Sequence, residues 1–202
     1  SGQVCVSVQR VFVPRAELPD FAAELAAGAE ALTVGDPTKA ETQCGPLIRP
    51  AEVDRVASWV DAAVQGGARL AAGGKRMGST LYQPTVLVDP PCDADVSQKE
   101  VFGPVVCIYG YDDVDAAIGQ ANALPYAFQA AVFTDRMSWA DYCVETLAAS
   151  AVMVNDHTAF RVDWMPFAGR RQSGLGTGGI GYTMVDMSEE KMVVVNAPSS
   201  VR

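Results

Sequence analysis

The chain has 202 residues, 49% of them hydrophobic and 19% charged, which is typical of a folded globular protein and not of a disordered or fibrous one. Its 15 basic and 24 acidic residues give a net charge of −9, and the absence of clustered Lys and Arg argues against a nucleic-acid or anionic-membrane surface. No apolar stretch approaches the roughly 18 residues of a transmembrane helix, and the opening lacks the pattern of a signal peptide.

The cysteines do not suggest a disulfide framework or a zinc site. They are scattered at irregular spacings without a CxxC pair, and the chain has one histidine, His157. Such a set favours reduced thiols and no bound metal, so we expect a cytoplasmic protein. The five cysteines are Cys5, Cys44, Cys92, Cys107 and Cys143.

Helix-like and strand-like patterns alternate up to residue 155. The stretch 17–32 places Phe21, Leu25 and Leu32 near one helical face, and the apolar run 101–111 is typical of a strand buried on both faces. This alternation predicts an α/β fold: an open, twisted, mostly parallel sheet with helices on both faces. Helices are predicted within 17–32, 49–68, 112–124 and 136–149, and strands within 68–74, 82–89, 101–111, 128–134 and 150–155.

Residues 156–182 break this order. They are rich in glycine and aromatic residues and too long for a simple connection, so we predict a functional loop. Gly174, Gly176 and Gly179 formally satisfy G-x-G-x-x-G, but no buried strand precedes them, as a dinucleotide-binding turn requires. We therefore predict a glycine-permissive loop there, followed by a β-like run at 189–197.

Cys5 is the first candidate for chemistry, and its local sequence leaves two interpretations open. A cysteine becomes a nucleophile where a cation or a helix N-terminus stabilises its thiolate, and Gly2 and Gln3 supply close backbone approach and a polar neighbour. However, the run 4–13 alternates apolar and polar residues, which predicts a strand with Cys5 facing solvent. Taken alone, such a cysteine is more often structural than catalytic.

For the other polar candidates, too, the local sequence does not decide between a functional and a structural role. A Cys–His hydrolase would have to use Cys5 and His157, and nothing that flanks His157 supports it. Glu100 precedes a buried strand and could accept hydrogen bonds from ligand hydroxyls, although such a residue is more often a solvated strand-end charge. Arg161 could bind an anionic substrate group or pair with Asp163.

Several segments taken together resemble the aldehyde dehydrogenase superfamily. The joint presence of G-Q-x-C and, about a hundred residues later, E-x-F-G-P is highly specific. The resemblance runs from about residue 2 to residue 195. The segments that carry it, in order, are GQVCVSVQRVFV, GDPTKAETQCGPLI, YQPTVLVD, KEVFGPVV, ANALPYAFQAAVFT, MVN, MPFAGRRQSGLGTGG and EEKMVVV.

The resemblance implies NAD(P)-dependent oxidation of a small-molecule aldehyde to a carboxylic acid. Cys5 matches the family nucleophile and would form a thiohemiacetal, with its own backbone N–H helping to hold the oxyanion. Glu100 and Phe102 would contact the nicotinamide-side ribose and ring of NAD or NADP. Gly103 and Pro104 would shape the turn into the following strand.

The resemblance also implies the surroundings of the substrate. Asn155 would brace the loop near the nucleophile. Phe167 matches an aromatic residue that commonly lines the aldehyde tunnel, and Trp164 and Phe160 are further lining candidates. Arg161, within FRVDWMPF, points to small hydroxylated or anionic aldehydes of the lactaldehyde or succinate-semialdehyde type.

The domain organisation follows from the same resemblance. Residues 1–182 would form the catalytic domain, incomplete at its N-terminal side, and residues 183–202 an oligomerisation strand and tail that adds to a neighbouring subunit's sheet. We therefore expect a homo-oligomer, a dimer or a tetramer. Ala168 and Arg171 stand where the family usually has glycine and lysine.

The largest departure from the family pattern lies before the nucleophile motif. The family's cofactor domain, oxyanion-hole asparagine, cofactor-phosphate lysine and general-base glutamate all precede the nucleophile, so we expect this chain to be the C-terminal portion of a longer enzyme and inactive alone. The alternative is that the chain as it stands is a non-catalytic folding and oligomerisation module.

Overall fold

Helices and strands follow one another along the chain much as the sequence patterns predict. The structure is a computed structural model and describes residues 1–196. Every helix and strand predicted between residues 17 and 155 is present, with somewhat shorter bounds. The elements are β1 Arg10–Pro14, α1 Leu18–Ala31, α2 Pro50–Gln65, β2 Arg69–Ala72, β3 Thr85–Val88, α3 Asp95–Gln98, β4 Val105–Tyr111, α4 Val114–Asn122, β5 Tyr126–Ala127, β6 Gln129–Val132, α5 Met137–Thr146, β7 Ala151–Val154, β8 Arg170–Arg171 and α6 Ile180–Asp186.

The central sheet has four strands in the order β1-β4-β3-β2. β4 pairs in parallel with both β1 and β3, and β2 adds antiparallel to the outer edge of β3. β6 and β7 form a second, parallel ladder, and β5 pairs antiparallel with β8. The predicted α/β class with mostly parallel strands is therefore confirmed, and its strands are divided among separate ladders.

Helices cover both faces of the central sheet. Because side chains alternate along a strand, Val86 and Val88 of β3 pack in the cluster that contains α1, while Leu87 between them packs in the cluster that contains α2. β4 repeats this division, with Ile108 on the α1 side and Cys107 on the α2 side. Because both faces of these strands are buried, their sequences are continuous apolar runs.

Helix α1 buries a different stripe from the one its large side chains suggest. Phe21 and Leu32 are exposed, and Leu25 is only partly buried. Ala22 and Ala26 instead face the sheet and are buried. Alanine carries little side-chain bulk, so it lets the helix backbone lie close to a densely packed sheet surface.

Helix α2 follows its pattern more closely. Pro50 lies in its first turn, where a missing N–H costs no hydrogen bond. Val53, Val56 and Val60 are buried against the sheet at helical spacing. Among the helices of residues 1–196, none is both long and apolar enough to cross a membrane.

The C-terminal strand is not confirmed. Within the described part of the run 189–197, residues 189–196 have no regular secondary structure and are exposed, and Ala197 lies outside the described residues. The predicted strand would form on a neighbouring subunit, and a single chain offers no such partner. The predicted domain boundary between residues 182 and 183 falls within α6.

We expect Leu87→Ala to lower the free energy of unfolding by about 3 kcal/mol, because the side chain is fully buried in the cluster on the α2 side of the sheet and its loss leaves a cavity. Leu175→Ala is the matched control, since Leu175 is fully exposed, and its effect should stay within about 0.5 kcal/mol. Urea unfolding of both variants measures the difference. Equal effects would contradict the packing described for β3.

Candidate active site

Cys5 lies in a turn that precedes β1. The N–H of Ser7 donates to the carbonyl of Val4 at 3.0 Å, and the Cys5 side chain is exposed. The strand predicted from the alternation at residues 4–13 is therefore wrong in its first half, since β1 begins at Arg10. Cys5 is therefore a turn residue and not a strand residue, although its side chain is exposed as the strand interpretation also expected.

The chain before Cys5 lies directly on the E-x-F-G-P segment. Gly2 has φ +72°, and a Cβ at this position would lie 2.1 Å from the carbonyl oxygen of Gly103 and 3.4 Å from the nitrogen of Pro104. Any other side chain would force the two backbones apart. Glycine is thus required at position 2 because the two backbones lie so close together. This contact joins the G-Q-x-C and E-x-F-G-P motifs, which are far apart in sequence.

Gln3 attaches the same stretch to a second segment. Its Nε2 donates to the carbonyl of Pro46 at 3.0 Å, and its Oε1 accepts from the N–H of Ile48 at 2.9 Å. The side-chain amide thereby bonds backbone groups on both sides of residue 47. This pairing fixes the residue that comes two positions before Cys5.

Thr158 attaches the turn to the glycine- and aromatic-rich loop. Its hydroxyl donates to the carbonyl of Val6 at 2.6 Å, and the side chain is buried. The loop 156–179 therefore reaches the residue that follows Cys5. The sequence alone does not indicate this role for Thr158, because a threonine in such a loop has no distinguishing pattern.

The segment that carries Glu100 and Phe102 alternates between exposed and buried side chains. Val101 is 1% exposed, whereas Glu100 and Phe102 on either side of it are exposed. Phe102 has φ +49°, in the left-handed region that is unfavourable for an aromatic residue. Pro104 leads into β4, and its carbonyl accepts from the N–H of Thr85 at 2.8 Å.

Phe167 is held at the centre of the loop 156–179. Its backbone exchanges two hydrogen bonds with Gly178, at 3.0 and 2.8 Å, and its ring lies edge-on to Phe128 with 5.1 Å between centroids. The Arg161 guanidinium carbon lies 4.6 Å from the centroid of the Phe167 ring. These contacts bring together two of the predicted substrate residues.

Arg161 has no ion-pair partner among residues 1–196. One of its Nη atoms donates to the carbonyl of Met165 at 3.2 Å. The alternative pairing with Asp163 is thus not formed, although both residues line an open groove of about 710 Å³ beside α6. Cys5 does not line this groove.

Trp164 and Phe160 remain at the surface of the loop, 76% and 46% exposed.

Asn155 has φ +56°. Its side-chain amide forms two hydrogen bonds with the backbone of Thr134: Oδ1 accepts from the N–H at 2.8 Å, and Nδ2 donates to the carbonyl at 2.9 Å. The Asn155 side chain thus fixes the start of the loop. The contact with the Cys5 turn comes from Thr158 further along.

His157 is engaged within its own loop. Its Nδ1 accepts from the N–H of Ala159 at 3.1 Å, and its Nε2 lies 3.9 Å from a carboxylate oxygen of Asp156. This arrangement gives no support to a Cys–His hydrolase. Among the residues that the structure describes, no group of three or more His, Cys, Asp or Glu side chains could hold a metal ion.

The glycine-rich stretch is a loop, as predicted. Gly174, Gly176 and Gly179 all have positive φ. The strand before them is the two-residue, exposed β8, and a dinucleotide-binding turn follows a buried strand. The formal G-x-G-x-x-G match therefore carries no nucleotide site.

The cysteines divide into exposed and buried groups. Cys5 and Cys92 are exposed, and the other three thiols are buried and unpaired. Burial raises the pKa of the Cys107 thiol to about 12 and also raises the pKa of the Cys143 thiol. Because the thiolate is the reactive form, these buried thiols are poor nucleophiles, and accessibility singles out Cys5 and Cys92.

The sequence matches the model of the aldehyde dehydrogenase family over residues 1–193. It is 40% identical over 196 residues to a 3-sulfolactaldehyde dehydrogenase from Priestia aryabhattai, an alignment that covers 97% of this chain and 41% of the relative. The chain therefore spans about two fifths of the length of the relative that it matches.

Two solved structures have the same fold. Aldehyde dehydrogenase 21 from Physcomitrella patens, in complex with the reaction product succinate, matches with a TM-score of 0.91 and 33% identity over 99% of this chain and 41% of its own. Glyceraldehyde-3-phosphate dehydrogenase from Methanocaldococcus jannaschii, complexed with NADP, matches with a TM-score of 0.88 and 34% identity over 93% of this chain and 41% of its own.

We expect Gly2→Ala to separate residues 1–3 from Gly103, because the added Cβ needs the space of the Gly103 carbonyl oxygen. The Gln3 pairing should then weaken, and the amide of Ile48, which donates to Gln3, should exchange with solvent roughly five- to tenfold faster. Gly28→Ala in α1 is the control, since its added Cβ meets no atom within 4 Å. Unchanged exchange in Gly2→Ala would contradict the contact with Gly103.

Proposed function

Because the chain belongs to the aldehyde dehydrogenase family, we propose that it carries the nucleophile of an NAD- or NADP-dependent oxidation of an aldehyde to a carboxylic acid. The observation that supports this most strongly is the exposed Cys5 turn, bonded on one side to residues 46–48 and on the other to Thr158, and lying against Gly103. A cysteine held in this way can attack a bound carbonyl with little reorganisation.

The proposed chemistry uses the Cys5 sulfur and its backbone. The thiolate adds to the aldehyde carbon and forms a thiohemiacetal, whose oxyanion the Cys5 N–H can hold. Among residues 1–196 this N–H has no hydrogen-bond acceptor, so it is free for that role. When bound, NAD or NADP supplies the acceptor for the hydride that leaves the thiohemiacetal carbon. Water then cleaves the Cys5 thioester, which releases the carboxylic acid and the thiol.

Glu100 and Phe102 fit a nicotinamide riboside. Glu100 is exposed and has no cationic partner among the described residues, so its carboxylate can accept hydrogen bonds from a vicinal diol. Phe102 is 43% exposed and offers a flat apolar surface beside it. We therefore propose both as cofactor contacts, with Pro104 and Gly103 shaping the turn that presents them.

We propose that the aldehyde carries an anionic group that Arg161 binds. The unpaired guanidinium lies over Phe167, so a cation and an aromatic ring are presented together. The relative from Priestia aryabhattai is a 3-sulfolactaldehyde dehydrogenase, and the related Physcomitrella patens structure contains succinate. A short aldehyde with a sulfonate or carboxylate tail fits this chemistry. Trp164 is a further candidate for the wall of this site.

We also propose that the chain acts in a homo-oligomer. Apolar side chains of α6 and of the following residues are exposed, which is unusual for a surface that only meets water. Burial by a neighbouring subunit would remove this exposure, as the predicted C-terminal strand requires. The exposed residues include Ile180, Met184, Val185, Met187, Met192, Val193, Val194 and Val195.

Turnover of Cys5 variants tests the proposed chemistry. In the complete protein that carries these residues, Cys5→Ser should reduce the rate of NAD(P)H formation from an aldehyde by roughly a thousandfold or more. Cys92→Ser is the matched control, because Cys92 is the other exposed thiol, and it should leave the rate unchanged. Iodoacetamide should label Cys5 faster than Cys92.

The 202-residue chain by itself should form no NAD(P)H, since it spans about two fifths of a relative's length. NAD(P)H formation by this chain alone would contradict that expectation and would mean that these residues contain a complete active site. Full turnover by Cys5→Ser in the complete protein would refute the proposed chemistry and favour the alternative of a non-catalytic folding and oligomerisation module.

Arg161→Gln tests the substrate class, because it removes the charge and keeps a hydrogen-bonding side chain of similar reach. The KM for an anionic aldehyde should rise roughly tenfold or more, as expected for the loss of a charge-assisted hydrogen bond, while the KM for a neutral aldehyde of similar size should stay unchanged. Arg136→Gln is the control, since Arg136 also lies over an aromatic ring, that of Trp139. Equal changes for both aldehydes would contradict an anion-binding role.

A further inference from the structure

We propose that Gln9 is a positioning residue that holds the segment 100–102 in a fixed place relative to Cys5. This inference rests on the proposed function, because it concerns the segment that would contact NAD or NADP. Gln9 lies shortly after Cys5 and directly before β1, and it would not touch the substrate or the cofactor itself. Its effect is transmitted through the backbone of Val101.

The side-chain amide of Gln9 uses its hydrogen-bonding groups on one short segment. Its Oε1 accepts from the N–H of Val101 at 2.9 Å. Its Nε2 donates to the carbonyl of Lys99 at 2.6 Å and to that of Val96 at 3.0 Å. All three partners are backbone groups, so the contact fixes the path of the chain that leads into Glu100.

The backbone of Gln9 is held as well. Its carbonyl accepts from the N–H of Cys107 in β4 at 2.8 Å, which extends the parallel pairing of β1 with β4. The amide therefore projects from a backbone that is itself bonded to the sheet. A side chain attached in this way can fix its partners, since it has little freedom of its own to follow them.

Arg55 completes the restraint from the other side. One of its Nη atoms donates to the carbonyl of Val101 at 2.6 Å, and its Nε donates to Glu52 at 2.8 Å. The N–H and the carbonyl of Val101 are thus both bonded by side chains, one from the segment before β1 and one from α2. The Val101 side chain is also fully buried.

The need for this restraint follows from Phe102. A positive φ at a non-glycine residue is unfavourable and persists only where the surroundings hold it. The bonds to Val101 act on the peptide groups immediately before Phe102. They therefore support a conformation that presents Glu100 and Phe102 on the exposed side of a buried residue.

The position of this segment matters because hydride transfer needs the reacting atoms at roughly 3 to 3.5 Å. The cofactor would be placed by residues 100–102, and the thiohemiacetal by Cys5. Gln9 is four residues after Cys5, and its side chain hydrogen-bonds the backbone that leads into residues 100–102. It therefore fixes the position of residues 100–102 relative to Cys5. An amide that merely filled a gap in the fold would have no selective effect on the cofactor.

Gln9→Met in the complete protein tests the proposal, because it removes all three hydrogen bonds and keeps the length of the side chain. We expect the KM for NAD(P) to rise roughly fivefold or more. The KM for the aldehyde and the rate of Cys5 alkylation without cofactor should change less than about twofold. Gln98→Met is the matched control, since Gln98 is an exposed residue at the end of α3, two positions before Glu100, and donates to the carbonyl of Cys92. It should change none of these values.

Gln9→Glu is a second variant with a separate readout. Its carboxylate keeps an acceptor for the Val101 N–H but places an oxygen against the carbonyls of Val96 and Lys99. Protonation restores an O–H donor, so the KM for NAD(P), relative to the unchanged protein at the same pH, should fall towards acid pH. A ratio that does not vary with pH would overturn the proposal.

Glu100→Ala separates failure of this inference from failure of the proposed function. If Glu100→Ala raises the KM for NAD(P) and Gln9→Met does not, the inference is wrong and the proposed function stands. If Glu100→Ala leaves that KM unchanged, the placement of the cofactor at this segment is wrong and the inference is wrong with it. Equal effects of Gln9→Met on both substrates and on alkylation would show a general structural role and would also overturn the proposal.

Discussion

The position of Cys5 depends on restraints that act on the short stretch 2–9. Gly2 lies against Gly103, the Gln3 amide bonds residues 46–48, and the carbonyl after Cys5 accepts from Thr158. Each contact involves a segment distant in sequence, so the turn is located by the whole fold and not by its own conformational preference. This explains how an exposed residue outside any helix or strand can have a defined place.

The sheet topology brings two of these segments together. The Cys5 turn leads into β1, and the segment with Glu100 leads into β4, and these strands are parallel neighbours. Their amino ends therefore lie at the same edge of the sheet. In open α/β sheets ligands usually bind at the carboxyl ends of the strands. Here the opposite edge of the central sheet carries the candidate nucleophile.

The sequence predicted regular structure better than it predicted the contacts around the site. The apolar run of β4 and the valines of α2 indicate their burial, since both patterns reflect which face must avoid water. The bulk of Phe21 does not indicate its burial, because α1 packs closely against the sheet through the small side chains of Ala22 and Ala26. Thr158 and Gln9 gave no signal, since each acts through one hydrogen-bonding contact with a partner far along the chain. Cys5 could be interpreted only through the resemblance of the distant segments.

The proposed assembly and the proposed substrate are physically linked. Arg161 lines the groove whose other wall is α6, and the apolar side chains of α6 are exposed in the single chain. A neighbouring subunit that covers α6 would exclude water from part of this groove. Attraction between unlike charges strengthens as the effective dielectric constant falls. The charges of Arg161 and Asp163, which both line this groove, would therefore act more strongly on a charged group there in the oligomer than in the isolated chain.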